Sequence, residues 1–226
     1  MRTWNLYHGR TKPPSGRTYL ERMLRLVSES ADLVALQEVP VWALTRLHGW
    51  SGMAAFGAIA RPPRLGALGR RLTALAPDLF RSAFNGQANA LLVRAPLRAV
   101  GEQRVVEVRR RGVLERRVCQ LMRLQAERSE MLVANFHATA HVEALAREDV
   151  ERVAEAIAGE EPAIVCGDFN VRGLGLPGFS PPLPGIDQVL VRGLEVARGP
   201  QAWRRERRTL DGVLLSDHAP VEAEVA

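Results

Sequence analysis

Pro162-Ala163-Ile164-Val165-Cys166-Gly167-Asp168-Phe169-Asn170 is the stretch of this chain whose reading decides the fold. Residues 162–166 form an unbroken apolar run, the pattern of a strand covered on both faces. Gly167 then permits a tight exit from the strand. Asp168 and Asn170, two residues apart, point the same way at its end. Strand ends on a rigid sheet are where scaffolds place reactive side chains. Read alone, Gly-Asp-Phe-Asn also describes a turn in which Asp and Asn cap backbone groups.

Working outward, the same grammar recurs. Strands are expected over residues 2–7, 32–36, 88–94 and 131–136, with Asn5, Glu38 and His137 within or just after them. A hairpin is expected from 100–107 and 113–125, turned near Arg110-Arg111-Gly112. Short strands follow at 186–192 and 194–197, and 220–225 closes the fold. Helical spacing of Leu20, Met23, Leu24 and Val27 marks a helix over 17–30. Val142, Leu145, Val153 and Ile157 mark another over 141–158. Pro40 starts a short helix to Leu47. Residues 50–84 are the hardest to read, with a basic helix expected over 65–76. Residues 10–16, 174–185 and the basic stretch 204–208 read as loops. Strands crowd the middle and helices the outer thirds, which points to mixed sheets covered by helices rather than a doubly wound sheet.

The chain has 226 residues, with 46% hydrophobic and 25% charged, the profile of an ordinary globular protein. A single domain over 1–226 is expected. No apolar run approaches the ~20 residues of a membrane span, and nothing at the start resembles a signal peptide. Cys119 and Cys166 read as two buried thiols without a zinc partner set, and a cytoplasmic location is expected. The net charge of +6 and a pI near 10.5 favour polyanionic partners. Lys12 is the only lysine, so nearly all of that charge is arginine.

The polar residues at strand ends are hard oxygen ligands, amides and imidazoles. There is no G-x-S-x-G elbow and no candidate nucleophilic cysteine. Oxygen ligands suit Mg²⁺ or Mn²⁺, ions that typically serve phosphate substrates. Ser216-Asp217-His218-Ala219-Pro220 adds an adjacent Asp-His pair, one carboxylate toward a metal and one imidazole toward a phosphate. It equally describes a turn before the last strand. Glu38, at the end of a buried strand, requires a metal or a basic partner.

Taken together, these segments resemble the endonuclease/exonuclease/phosphatase superfamily, which includes pancreatic deoxyribonuclease, exonuclease III, inositol polyphosphate phosphatases and neutral sphingomyelinases. The matching blocks are Thr3-Trp4-Asn5-Leu6, Leu36-Gln37-Glu38-Val39, the run from Gly86 to Leu92, Asn135-Phe136-His137, Gly167-Asp168-Phe169-Asn170, Ile186-Asp187-Gln188-Val189 and Ser216-Asp217-His218-Ala219-Pro220. They occur in the superfamily's order. The resemblance implies a four-layer α/β sandwich with two packed mixed β-sheets and helices on the outer faces. It implies that Glu38, Asn5 and Asp217 bind a catalytic Mg²⁺ (or Mn²⁺). It further implies that Asp168, with Asn170 beside it, orients or deprotonates the attacking water. His218, held by Asp187, and His137 contact the phosphate, so hydrolysis is direct attack by water. Gln188 stands where many members carry an aromatic residue or histidine.

The arginine runs 109–111, 116–117 and 204–208 lead to nucleic acid as the expected partner of a monomeric enzyme, with a small phosphorylated substrate as the alternative. A third reading is a catalytically inactive nucleic-acid-binding module. Only 5% of residues are aromatic, so little suggests a base-stacking platform.

Overall fold

The computed structural model describes residues 1–63, 85–111, 115–127 and 129–226. Its largest sheet contains β1 (Arg2–Asn5), β3 (Leu33–Val39), β4 (Ala54–Arg61), β5 (Gln87–Val93), β11 (Val196–Ala202) and β14 (Val221–Val225), in the order β11-β14-β1-β3-β5-β4. The second contains β6 (Arg98–Arg111), β7 (Glu115–Ala126), β8 (Ser129–His137), β9 (Ala163–Asp168) and β10 (Asp187–Arg192), in the order β10-β9-β8-β7-β6. Each is mixed. β1 runs parallel to β3 and β8 parallel to β9, while the other pairings are antiparallel. A small third sheet joins β12 (Thr209–Leu210), β13 (Val213–Leu215) and β2 (Thr11–Lys12).

Side-chain alternation along the strands generates three apolar layers. On β3, Leu33 and Ala35 face the second sheet, meeting Met122, Val133, Ile164 and Val189. Val34 and Leu36 face the other way, toward Leu20, Met23, Leu24 and Val27 of α1 (Leu20–Ser28). On β8, Leu132, Ala134 and Phe136 pack under Ala146, Val150 and Val153 of α3 (Glu143–Ala156). Helix, sheet, sheet and helix make the four-layer α/β sandwich. Burying one such aliphatic or aromatic side chain is worth about 1.5–3 kcal/mol.

The inter-sheet layer is not wholly apolar. Thr3, Gln37, Asn89, Gln120 and Asn135 are all buried there. Gln37 Nε2 donates to Thr3 Oγ1 and Asn135 Oδ1, at 3.0 and 2.7 Å. Asn135 Nδ2 in turn faces the carbonyls of Leu36 and Ala90 and Gln120 Oε1. These bonds tie the sheets together at one register.

Several boundaries differ from the sequence reading. β1 stops at Asn5, and Tyr7–Gly9 make a 3₁₀ turn with positive φ at Tyr7 and His8. β3 runs on through Gln37 and Glu38 to Val39 with a register shift, so Glu38 sits in a bulge at φ +54. β4 was unexpected, because its small residues Ala54, Ala55, Gly57, Ala58 and Ala60 carry little strand signal. The short helix splits into a 3₁₀ segment (Val41–Arg46) and α2 (Leu47–Ser51). The first hairpin strand is longer than expected and takes in Arg110 and Arg111, the second matches to within two residues at each end, and the basic helix expected over 65–76 lies outside the described residues. In α3 the buried stripe is Ala146, Asp149, Val150 and Val153, whereas Val142 stands exposed at the helix start. Residues 196–202 form one long strand. Among the described residues no helix is long and apolar enough to cross a membrane.

Candidate active site

Gly167 and Asp168 lie inside β9, not beyond it. Gly167 has φ +135, and a Cβ there would stand 2.0 Å from the Phe136 carbonyl oxygen. The glycine therefore serves close approach of β8 to β9 rather than a strand exit. That approach sets His137 beside Asp168 in parallel register, and the antiparallel β10 sets Asp187 against Asp168 from the other side. Asn5 arrives from the end of β1 in the other sheet, and Asp217-His218 from the loop after β13.

Asp168 is the hub, with only 1% of its surface exposed. Its Oδ2 accepts from Asn5 Nδ2 at 3.0 Å and stands 3.4 Å from His137 Nε2 and 3.7 Å from His218 Nε2. Its Oδ1 accepts the Asn170 backbone N–H at 3.0 Å, so the turn-capping reading holds alongside the clustered one. Asn170 Nδ2 donates to the Ala138 carbonyl. His218 Nδ1 lies 3.0 Å from both oxygens of Asp187. Asp217 Oδ1 is 3.9 Å from His218 Nε2. Glu38 joins through Oε1, 4.0 Å from His137 Nδ1. All eight residues singled out from the sequence thus fall in one contact network.

Three participants, His8, Gln87 and Lys12, were not anticipated, while a fourth, Arg208, belongs to the basic 204–208 stretch expected to meet a polyanion. His8 places Nε2 3.4 Å from Glu38 Oε2, and its buried Nδ1 has no hydrogen-bond partner. Gln87 Nε2 donates to His137 Nδ1 at 2.9 Å, which leaves the proton of a neutral His137 on Nε2, facing Asp168. Lys12 Nζ stands 3.3 Å from Asp217 Oδ2. Arg208 Nη1 donates to the carbonyls of Leu215, Ser216 and His218, pinning the loop that presents the Asp-His pair. Gln188 is fully buried, and its amide bonds Leu183 and Gly185, so it shapes the loop beside the site.

The electrostatics separate the two imidazoles. Burial pushes His137 well below its ordinary value, with Arg117 and His218 adding to the effect, so it is neutral. Burial acts the same way on His218, but the hydrogen bond and charge of Asp187, with Asp168 and Asp217, outweigh it and lift the group to about 10. Burial and the Asp187 charge raise Asp168 to about 7, against the pull of His218 and Asn5. One histidine is a neutral donor and the other a cation.

The donor set fits a hard divalent ion. Asp217 Oδ1 is buried without a hydrogen-bond partner, an arrangement costly for a carboxylate unless a cation meets it. The bulge turns Glu38 into the same cluster. Among the described residues, the atoms gathered tightly enough to hold one ion together are those of Asp168, Asp187 and His218, within 4.8 Å of one another. Asp187 and His218 already satisfy each other, and Asn5 Oδ1 accepts the Tyr7 backbone N–H, whereas Asp217 Oδ1 stands unpartnered.

The model of the Endonuclease/Exonuclease/phosphatase family matches residues 3–218. No curated protein matches the chain by sequence. Among solved structures, a functionally unknown conserved protein from Enterococcus faecalis V583 superposes with TM-score 0.72 at 16% identity, covering 100% of this chain and 99% of that one. An endonuclease/exonuclease/phosphatase from Beutenbergia cavernae gives 0.73 at 16% identity over 99% of this chain and 70% of that one. A mannosyl-6-phosphatase from Bacteroides thetaiotaomicron gives 0.65 at 17% identity over 100% and 98%. At these identities the likeness concerns the fold.

Proposed function

Because this chain belongs to the endonuclease/exonuclease/phosphatase family, whose members hydrolyse phosphate esters, we propose that it is a Mg²⁺- or Mn²⁺-dependent phosphodiesterase acting on nucleic acid by direct attack of water. One observation carries the reading: Asp168 Oδ2 is met by Asn5, His137 and His218 within 3.0–3.7 Å. A carboxylate so surrounded is aligned to hold a water and take its proton, as a general base must be.

Glu38, Asn5 and Asp217 would hold the ion, which would offset charge on the phosphoryl oxygens and stabilise the leaving oxygen. Cationic His218 grips the non-bridging oxygens, and neutral His137, whose Nε2–H faces Asp168, stands beside them. Asp187 keeps His218 charged and fixes its orientation. Water oxygen bonds to phosphorus as the ester P–O bond breaks, the water proton passes to Asp168, and no covalent enzyme intermediate forms. Asn170 steadies the Asp168 carboxylate through its backbone N–H.

The test sets duplex DNA, single strands, RNA, inositol phosphates and sphingomyelin against Mg²⁺, Mn²⁺ or chelator. Turnover of nucleic acid with metal and none with chelator is the expected result. Asp168→Asn is expected to keep the melting temperature within a few degrees and lose about 10³-fold in kcat, within the range for a general base. Full activity in that variant would refute the assignment.

The ion pairing of the arginines favours a second reading, a small phosphorylated substrate. Arg109 binds Asp149 and Glu148, Arg110 and Arg116 share Glu107, and Arg207 binds Glu222. Each of these side chains already has a carboxylate partner within the chain. Salt separates the readings: nucleic-acid affinity falls steeply with ionic strength through counterion release, whereas affinity for a small ester changes little.

A further inference from the structure

Beside His218 lies a cavity of about 450 Å³ whose wall includes Lys12, Arg172, Arg208, Asp187 and Asp217. Three of these are cations; Asp187 holds His218, and Asp217 meets Lys12 through Oδ2 while its Oδ1 stands unpartnered. Arg172 is exposed and makes no hydrogen bond or ion pair to any described residue. It follows Asn170 by two positions, so it hangs from the loop that carries the reacting groups. Arg208 is immobilised by the three carbonyls on Nη1, yet its Nε is buried with no partner. A guanidinium fixed in this way has lost its rotamer freedom before any ligand arrives and keeps its positive charge on the cavity wall. Residues 183–186 close one side of the cavity, held in shape by Gln188.

We infer that this cavity is a second anion subsite, which takes a phosphate adjacent to the one being hydrolysed, with Arg172 and Arg208 as its principal donors and Lys12 at its mouth. The inference deepens the phosphoesterase reading and rests on it for the identity of the first phosphate. The neighbouring phosphate is either the next one along a nucleic-acid strand or the second group of a small bisphosphate. Both present the same chemistry to the cavity.

The test uses the whole chain and two probes, adenosine 3′,5′-bisphosphate and adenosine 5′-monophosphate, titrated by calorimetry with Mg²⁺ present. Wild type is expected to bind the bisphosphate at least about tenfold more tightly, the scale of one charge-assisted hydrogen bond. Arg172→Ala, at an exposed position that leaves the fold undisturbed, is expected to cut that preference to about threefold or less. Equal affinity of wild type for the two probes, or an undiminished preference in the variant, overturns the subsite. Turnover then distinguishes the sources. A dinucleotide with a terminal phosphate cleaved faster than one without it points to a strand; preference confined to a hexose bisphosphate points to a small substrate. Hydrolysis without any bisphosphate preference removes the subsite and leaves the enzyme assignment standing. A bisphosphate preference without hydrolysis of any ester does the reverse.

Discussion

Both carboxylate oxygens of Asp187 stand 3.0 Å from His218 Nδ1, so one charge there governs the protonation of the imidazole. Because the folded value, about 10, lies above the ordinary 6.5, this pairing stabilises the fold fully below pH 6.5 and ceases to as pH rises through 10. Asp187→Asn should let His218 titrate toward its ordinary range in metal-free protein, followed by imidazole proton resonances, and should lower kcat about 100-fold. A His218 signal that titrates identically in both proteins would sink the assignment. His8→Ala should weaken Mn²⁺ binding about tenfold by calorimetry, since the ring faces the Glu38 carboxylate. At this scale Glu38, His137 and Asp168 were legible because each lies at the end of an apolar run, whereas Asp187 opens its strand and was marked only by the family resemblance. His8 and Gln87 were not legible. Each acts by orienting another side chain, and such a role leaves no mark in local pattern; the strand expected over 2–7 ends at Tyr7, and His8 lies between it and the loop expected at 10–16.

Among the elements, β9 gives the sharpest test. Gly167→Ala drives a methyl against the Phe136 carbonyl, backbone that cannot swing aside, and should cost more than about 3 kcal/mol in urea unfolding, the upper range for single substitutions. Near-wild-type stability would mean that β8 and β9 can separate without penalty. On β14, Glu222 shows how charge fastens a strand. Burial would raise its carboxyl, but hydrogen bonds from Arg207, Arg2 and Trp203 prevail and hold it at about 2. Stability from this group is therefore present above about pH 4.5 and lost as pH falls toward 2. Glu222→Gln should cost about 1–3 kcal/mol at pH 7, with wild type and variant converging in acid melts. Element types were legible wherever apolar runs or helical spacing were strong, as in α1 and β9. β4 was hidden by its alanines, and the bulge at Glu38 by the fact that a register shift depends on the partner strand β5, far away in sequence.

For the molecule as a whole, mixed sheets covered by helices were legible in the pattern and the four layers in the family resemblance, whereas the polar seam between the sheets was not. Nothing in the chain marks Asn135 as joined to Gln37, because the two are distant in sequence and their pairing exists only once the sheets face each other. Asn135→Ala would leave the Gln37 amide and the Gln120 oxygen short of a partner and should lower stability by about 2–4 kcal/mol, read as a shift in the urea midpoint. The reacting groups are divided across that seam: Asn5 and Glu38 ride on one sheet, His137, Asp168 and Asp187 on the other. The enzyme thereby works as a caliper. A slip of about one ångström between its jaws would spoil the 3.0 Å grip of Asn5 on Asp168 while every ladder within each jaw stayed closed. In rising denaturant, turnover should therefore fade before far-ultraviolet ellipticity begins to fall.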